Sequence, residues 1–422
     1  MARLFLVLLP IAILISILSP YIFSVSEDNN FEVQMMFFMV IVASLIASFS
    51  TGLDSVYMAH NYLYKLYFIR MVHCLAQVGF IILFFILFGP SLILLGLAYI
   101  VAAVLLIGWL LIGVKRIDPE IKIDHRKYDR KSLKEMYDLG IWGMVIRLGN
   151  ILFIQTSQIV VNISLGSEIQ GEFSIAANVI SMISTTCIAL VAVGVPLLYV
   201  HYNNKDKPMF ITTLGLFTKF VGLLMSFPLA YLFIFAPQVL ETWLGTTYTA
   251  LVTMVMVMMP ICVVKSSMEI LPSVAVVHKN VRNIALGTVA FGILNIILAI
   301  VLIQCTDLGV IGACVAWDVS MGLLTFVFYP LTISHLMDIS MIIFVKSLIV
   351  DYISFGVMVG LGLLFCEYYT LPSGWISIML SFVSMFLVFF IAAMRLGLNK
   401  EERGIVITYF PQFMQKYLSK LI

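Results

Sequence analysis

The chain has 422 residues, of which 62% are hydrophobic and 11% charged, and its net charge is +2. At a mean hydropathy of +1.10 it has too little polar surface to stay in water as a folded chain of this size, which excludes soluble enzymes and points to a membrane protein. The small net charge sums a basic face and an acidic one and does not point to nucleic acid.

A helix needs about 20 mostly apolar residues to cross roughly 30 Å of hydrocarbon. Helices also satisfy their backbone polar groups internally, as lipid demands. In chain order such runs lie at residues 3–25, 35–57, 69–88, 91–114, 138–165, 172–200, 209–236, 248–277, 283–304, 308–334, 342–365 and 373–395, so an all-α fold of about twelve transmembrane helices is expected. The first run is read as a retained span: it is long, a single Arg precedes it, and it shows no small-x-small cleavage site.

Charge then sets the topology. Lys65 and Arg70 follow the second span, eight bases from Lys115 to Lys134 follow the fourth, Lys205 and Lys207 the sixth, and Lys279 and Arg282 the eighth. Arg395, Lys400, Arg403, Lys416 and Lys420 follow the last, and Arg3 precedes the first. The alternate loops, including Ser26-Glu27-Asp28, Gly166-Ser167-Glu168, Glu241-Thr242-Trp243, Thr306-Asp307 and Glu367-Tyr368-Tyr369, contain no Lys or Arg. The positive-inside rule therefore predicts that both termini are cytoplasmic.

Four regions follow. Residues 1–114 form an N-terminal lobe of four helices, 115–137 a basic cytoplasmic linker, 138–334 a C-terminal lobe of six helices, and 335–422 two additional helices and a tail. The tail, with Lys416 and Lys420, is read as an amphipathic helix along the inner leaflet. The stretch from His60 through Gly89 to Leu95-Gly96-Leu97-Ala98 resembles that from His278 through Asp307 to Ile311-Gly312-Ala313-Cys314, as in transporters built from two related halves. This repeat aligns spans two to four with spans eight to ten and leaves two helices absent from the front. Either coding sequence upstream supplies them, or this is a twelve-span variant.

Charged and polar groups inside spans mark the candidate site, because each must face a wet cavity or a partner. At about 100° per residue, Arg147, Asn150, Gln155, Gln158 and Asn162 share an arc of about 140° on the fifth span. Such a stripe lines a cavity or forms an interhelical network. Lys219 and Lys265 lie well inside the seventh and eighth spans, and Glu269, one turn beyond Lys265, neutralises it or leaves it for a ligand. Pro260 and Pro272 predict a kink around that pair. These three cations suit an anionic ligand, whose oxygens Arg can grip in bidentate fashion. Asp318 is read as a coupling-ion site or the partner of a base. Lys346 is expected to snorkel, with Asp351 a short way along the helix to pair with it. The six cysteines lack C-x-x-C spacing and are read as apolar fillers.

The segments Gly140-x-Trp142, Gln158-Ile159-Val160-Val161 with Leu165-Gly166, Gly171-x-Phe173-x-x-Ala176, Tyr202-Asn203-Asn204-Lys205-Asp206 after Pro196, and Trp243-Leu244-Gly245-Thr246 come in a suggestive order. They resemble the Wzx-type polysaccharide repeat-unit flippases of the multidrug/oligosaccharidyl-lipid/polysaccharide exporter superfamily, apparently without the first two helices. Many members of that family carry an acidic residue where this chain has Ser157. The resemblance implies flipping of an undecaprenyl-diphosphate-linked oligosaccharide across a bacterial cytoplasmic membrane by alternating access, during synthesis of O-antigen, capsule or exopolysaccharide. No cofactor is expected, a proton or sodium as coupling ion stays open, and the resemblance implies the lipid-linked oligosaccharide, the bilayer and the pathway's polymerase and glycosyltransferases as partners. Two alternatives stay open: a drug/cation antiporter or peptidoglycan-precursor flippase of the same superfamily, and a membrane-embedded polymerase or ligase. The last needs a larger outer loop or an acid/base pair at the membrane face, and no Walker A, H-E-x-x-H, G-x-S-x-G or metal-type His/Cys cluster is present.

Overall fold

The structure is a computed structural model that describes residues 9–10, 12–19, 30–60, 62–117, 130–245, 248–368, 374–397 and 404. Its ordered elements are all helical, and among the described residues eleven helices or helix pairs are long and apolar enough to cross a membrane. The protein is thus an all-α, multi-pass membrane protein. Most of the expected first span and the whole of the tail beyond Gly404 lie outside the described residues.

The chain divides into two compact units, Met1–Tyr128 and Asp129–Ile422. The boundary falls inside the basic segment, and the last two helices belong to the second unit. In the first unit, the expected span 35–57 is two helices, α1 (Asn30–Ser48) and α2 (Ser50–Ala59), separated at Phe49. Flanking Ser48, Ser50, Thr51 and Gly52 are poor helix formers, which is where an apolar run can break. α3 (Leu63–Phe88) and α4 (Leu92–Ile117) follow, and α4 packs against α1, α2 and α3. Ala98, Ala102 and Ala103 on α4 are buried, as are Leu106 and Leu110. Small residues of this kind let helices approach closely in lipid.

The second unit contains α5 (Arg130–Leu165), α6 (Ser167–Asn203), α7 (Lys207–Leu244), α8 (Thr249–Met268), α9 (Leu271–Val277), α10 (Arg282–Cys305), α11 (Val310–Gly322), α12 (Tyr329–Met337), α13 (Ile342–Tyr368) and α14 (Trp375–Ala392). α7 is its axis, touching α6, α8, α13 and α14. Its buried residues run from Phe210 to Leu240, as expected of a helix apolar all round. It bends at Phe235 (φ −100°, ψ 17°), two residues before Pro237, whose ring cannot fit against the preceding turn.

The predicted bend in the eighth span is a full interruption. α8 stops at Met268, Glu269 and Ile270 form a turn, and α9 restarts with Pro272 in its first turn. Pro272 offers no N–H to the Met268 carbonyl, so the break falls there, while Pro260 is absorbed within α8. Opposite lies a π-helical segment, Leu323–Phe328, joining α11 to α12 and touching α8.

Candidate functional site

The polar stripe on α5 is positioned by a tight seam with α10. A Cβ placed on Gly292 would lie 3.0 Å from the Gly149 carbonyl oxygen, and one on Gly149 would lie 2.9 Å from the Thr288 backbone carbon. Glycine at both positions is what permits this approach. Beyond it, Asn295 Nδ2 of α10 donates to Ser157 Oγ at 2.8 Å and to the Phe153 carbonyl at 3.2 Å. Ser157, at the position where the resemblance places an acid, is therefore a buried interhelical hydrogen-bonding group.

Because Gly149, Phe153 and Ser157 face α10, the opposite side of α5 is turned outward. Arg147, Asn150, Gln155 and Asn162 are exposed, and Gln158 is half-buried. Apolar Leu148, Ile159 and Ile163 are exposed on the adjoining flank. The helix thus presents a polar strip beside an apolar one. Near its start, Trp142 lies under the Arg282 guanidinium, 5.6 Å from ring centroid to cation.

Lys265 and Glu269 occupy a different setting. Lys265 Nζ donates to Glu269 Oε2 at 2.8 Å, with side-chain exposures of 15% and 21%. The pair neutralises itself and so does not leave Lys265 as an unpaired cation. Around it are further polar contacts between helices: Cys187 Sγ of α6 donates to Ser266 Oγ at 3.1 Å, and Thr288 Oγ1 of α10 meets Tyr329 Oη of α12 at 3.2 Å. These bonds join α6 to α8 and α10 to α12 near the α8–α9 break.

Lys219 is half-buried on α7, one turn before Gly222, which lies against the Asp351 carboxyl of α13. The expected pairing of Asp351 with Lys346 does not occur. Lys346 is exposed, whereas Asp351 is fully buried and accepts a 2.6 Å hydrogen bond from Ser267 Oγ of α8. Five residues along an α-helix is about 500°, which turns the two side chains some 140° apart. Arg147, exposed on α5, Lys219, half-buried on α7, and Lys265, bonded to Glu269 on α8, therefore lie in separate surroundings. Asp318 on α11 is half-buried, with Oδ1 enclosed and without a hydrogen-bond partner among the described residues. Among the described residues no group of three His, Cys, Asp or Glu could hold a metal ion.

Sequence reasoning missed two features of this unit. One is the Asp351 junction, whose signal was the coincidence of mid-span Ser226, Ser267 and Asp351. The other is an apolar cavity of about 690 Å³ between α7, α13 and α14, lined by residues such as Phe227, Tyr231, Met358, Phe365 and Phe389. Tyr231 Oη anchors its far wall through Ser381 Oγ at 2.7 Å and the Ile378 carbonyl at 3.1 Å.

In the first unit, the Arg70 guanidinium donates to the Asp54 carboxylate and, at 3.0 Å, to Ser50 Oγ. Asp54 is thus ion-paired as well as lying near a span end. Tyr57 is buried between α2 and its neighbours, and a Cβ on Gly113 would run into its hydroxyl.

No family profile matches the chain. Over 350 residues it is 23% identical to the Bacillus subtilis (strain 168) protein named uncharacterized membrane protein EpsK, covering 83% of this chain and 69% of that one. It superposes on the crystal structure of MATE in the bent conformation with a TM-score of 0.65 at 13% identity, covering 82% of this chain and 76% of that one. The chain therefore has the fold of that MATE structure.

Proposed function

We propose that this chain is a membrane transporter that flips a diphosphate-linked oligosaccharide on a long isoprenoid carrier across a bacterial cytoplasmic membrane. The accessible polar strip of α5 carries this reading. A lipid-facing helix has no use for Arg147, Asn150, Gln155, Gln158 and Asn162 along one side, and such groups suit sugar hydroxyls and phosphate oxygens. The apolar cavity between α7, α13 and α14 lies in the same unit and has the chemistry for a hydrocarbon chain. A headgroup that is polar and anionic joined to a tail that is apolar needs both kinds of surface. The basic loops and both termini face the cytoplasm in this reading, where glycosyltransferases would deliver the substrate, and a polymerase would receive it on the other side. Lys219 and Lys265 act through their carboxylate neighbours here, leaving Arg147 as the principal phosphate contact.

Asp318 favours a second reading, a drug/cation antiporter of the same fold. A half-buried carboxylate with an unpartnered oxygen suits a cation or a coupling ion. The test is leaflet translocation in proteoliposomes holding the full chain and a fluorescent diphosphate-linked oligosaccharide. Arg147→Ala should slow translocation about tenfold or more, the loss of one charge-assisted phosphate bond of about 1.5–3 kcal/mol. Unchanged translocation in Arg147→Ala would remove the strip from the substrate path. Ion-driven efflux of a cationic dye with no flipping of the oligosaccharide would establish the antiporter instead.

A further inference from the structure

The junction of α7, α8 and α13 holds a carboxyl group that neither the fold nor the proposed substrate path explains. Asp351 lies about 14 Å along α13 from Ile342 at 1.5 Å per residue, inside the membrane-spanning length. It is 0% exposed. Oδ2 accepts from Ser267 Oγ at 2.6 Å, while Oδ1 is buried with no hydrogen-bond partner among the described residues. Ser226 Oγ on α7 donates to the Asp351 main-chain carbonyl at 3.0 Å. Gly222, one turn before Ser226, provides the space: any Cβ there would collide with the carboxyl group and with the Ser267 hydroxyl.

The charge balance here is narrow. An ionised carboxylate can accept about four hydrogen bonds, and this one receives a single side-chain donor, so burial and the empty oxygen both oppose the anion. Lys219 stands one turn before Gly222 on the same helix, and a cation near the carboxyl favours it. From α8 the group presented is the Ser267 hydroxyl, since Lys265 is bonded to Glu269. On α13 itself Lys346 is exposed and Tyr352 donates to the Pro260 carbonyl at 3.0 Å. Arg395, the charged residue of the π-helical segment Ala393–Gly397 that touches α13, is exposed. A metal cation does not suit the place. Both serine hydroxyls already donate inward, Gly222 leaves no spare volume, and the Lys219 ammonium would repel it. A proton suits it.

We infer that Asp351 is a proton-binding site, and that its occupancy decides whether α13 stays seated against α7 and α8. With the proton bound, the neutral carboxyl sits on Ser267 in the space over Gly222. Without it, the anion is drawn from this dry junction toward Lys219 and water, and α13 moves with it. The same helix, further along, forms one wall of the apolar cavity through Val357, Met358, Leu361 and Phe365. Proton binding at Asp351 therefore sets the width of that cavity. The inference does not depend on what the protein carries, and its test reads no transport.

The test uses the full chain in lipid nanodiscs. Infrared difference titration should show a protonated-carboxyl stretch that disappears with rising pH and is missing in Asp351→Asn. Spin labels are placed through Thr212→Cys on α7 and Ile349→Cys on α13, after replacing Cys74, Cys305 and Cys366 by Ser. Their separation should widen through the same pH interval in the parent and stay narrow at every pH in Asp351→Asn. Lys219→Met should move the midpoint by about one pH unit toward alkaline pH, because removing the cation leaves the neutral acid favoured. Ser267→Ala should move it as well by removing the donor to the carboxylate. Both variants keep the carboxyl and serve if Asp351→Asn does not fold. A band unaltered by Asp351→Asn, a pH-dependent separation that survives it, or a midpoint unmoved in both Lys219→Met and Ser267→Ala would each overturn the proposal.

Discussion

Gly292→Ala tests the α5–α10 seam with one methyl group. At that position the added carbon would lie 2.8 Å from Leu152 Cβ and 3.0 Å from the Gly149 carbonyl oxygen, both attached to the facing backbone. Neither can rotate away, so the helices must separate. Overpacking of this kind costs about 1–3 kcal/mol. Separation also stretches the Asn295 bonds to Ser157 and Phe153, at about 0.6 kcal/mol for each interhelical hydrogen bond in lipid. The expected total is about 2–4 kcal/mol. Cys187, Cys262 and Cys314 are buried in this unit, so a thiol-reactive fluorophore added after capping exposed thiols reports unfolding directly. The half-labelling temperature should fall by on the order of 5 °C. Adding Asn295→Ala to Gly292→Ala should cost less than the sum of the two, since the parted helices have already lost those bonds. Gly360→Ala is the control: on α13 nothing lies within 4 Å of the added carbon, and the helix gains propensity, so its temperature should hold or rise. Equal behaviour of Gly292→Ala and Gly360→Ala would refute the close approach and, with it, the outward facing of the polar strip.

Two further outcomes follow from partners seen in the structure. Lys265→Ala or Glu269→Ala alone should destabilise the second unit by about 3 kcal/mol in the same thiol assay, because each strands a largely buried charge, whereas Lys265→Met with Glu269→Gln should recover most of that loss; equal single and double losses would show that the pair is not an isolated interaction. In the first unit, the Tyr57 hydroxyl is buried without a hydrogen-bond partner among the described residues, so Tyr57→Phe should be neutral or stabilising by about 1 kcal/mol, and a clear loss would reveal a partner for that hydroxyl.

The spans were legible because an apolar run of sufficient length has one stable form in lipid, and their ends were legible where charges or proline enforce them. Pro272 shows this: its missing N–H places the α8–α9 break within a turn of where the sequence pattern put a kink. At Phe49, Ser48, Ser50, Thr51 and Gly52 weaken the helix without a charge or proline to enforce an end, so the run read as one span where the structure has α1 and α2. The π-helical segment Leu323–Phe328 was equally silent, since it depends on how α11 and α12 meet their neighbours. Within the candidate site, the strip on α5 was readable because five polar residues repeat with the helical period. Asn295 and Ser157 gave no such signal, being single polar residues on two helices whose meeting only the fold reveals.

Local chemistry in the sequence determined that the chain is helical and membrane-embedded, which segments cross the bilayer, and that Lys265 and Glu269 stand one turn apart. Those facts depend on neighbours in the chain and on the insolubility of bare backbone in hydrocarbon. Only the tertiary structure decided which way each polar side chain faces. Lys346 and Asp351 share a helix, yet one is exposed and the other is buried on Ser267, a residue 84 positions away in the chain. In hydrocarbon a buried polar group must find its partner on another helix, and helical periodicity gives the direction of a side chain without saying what meets it there.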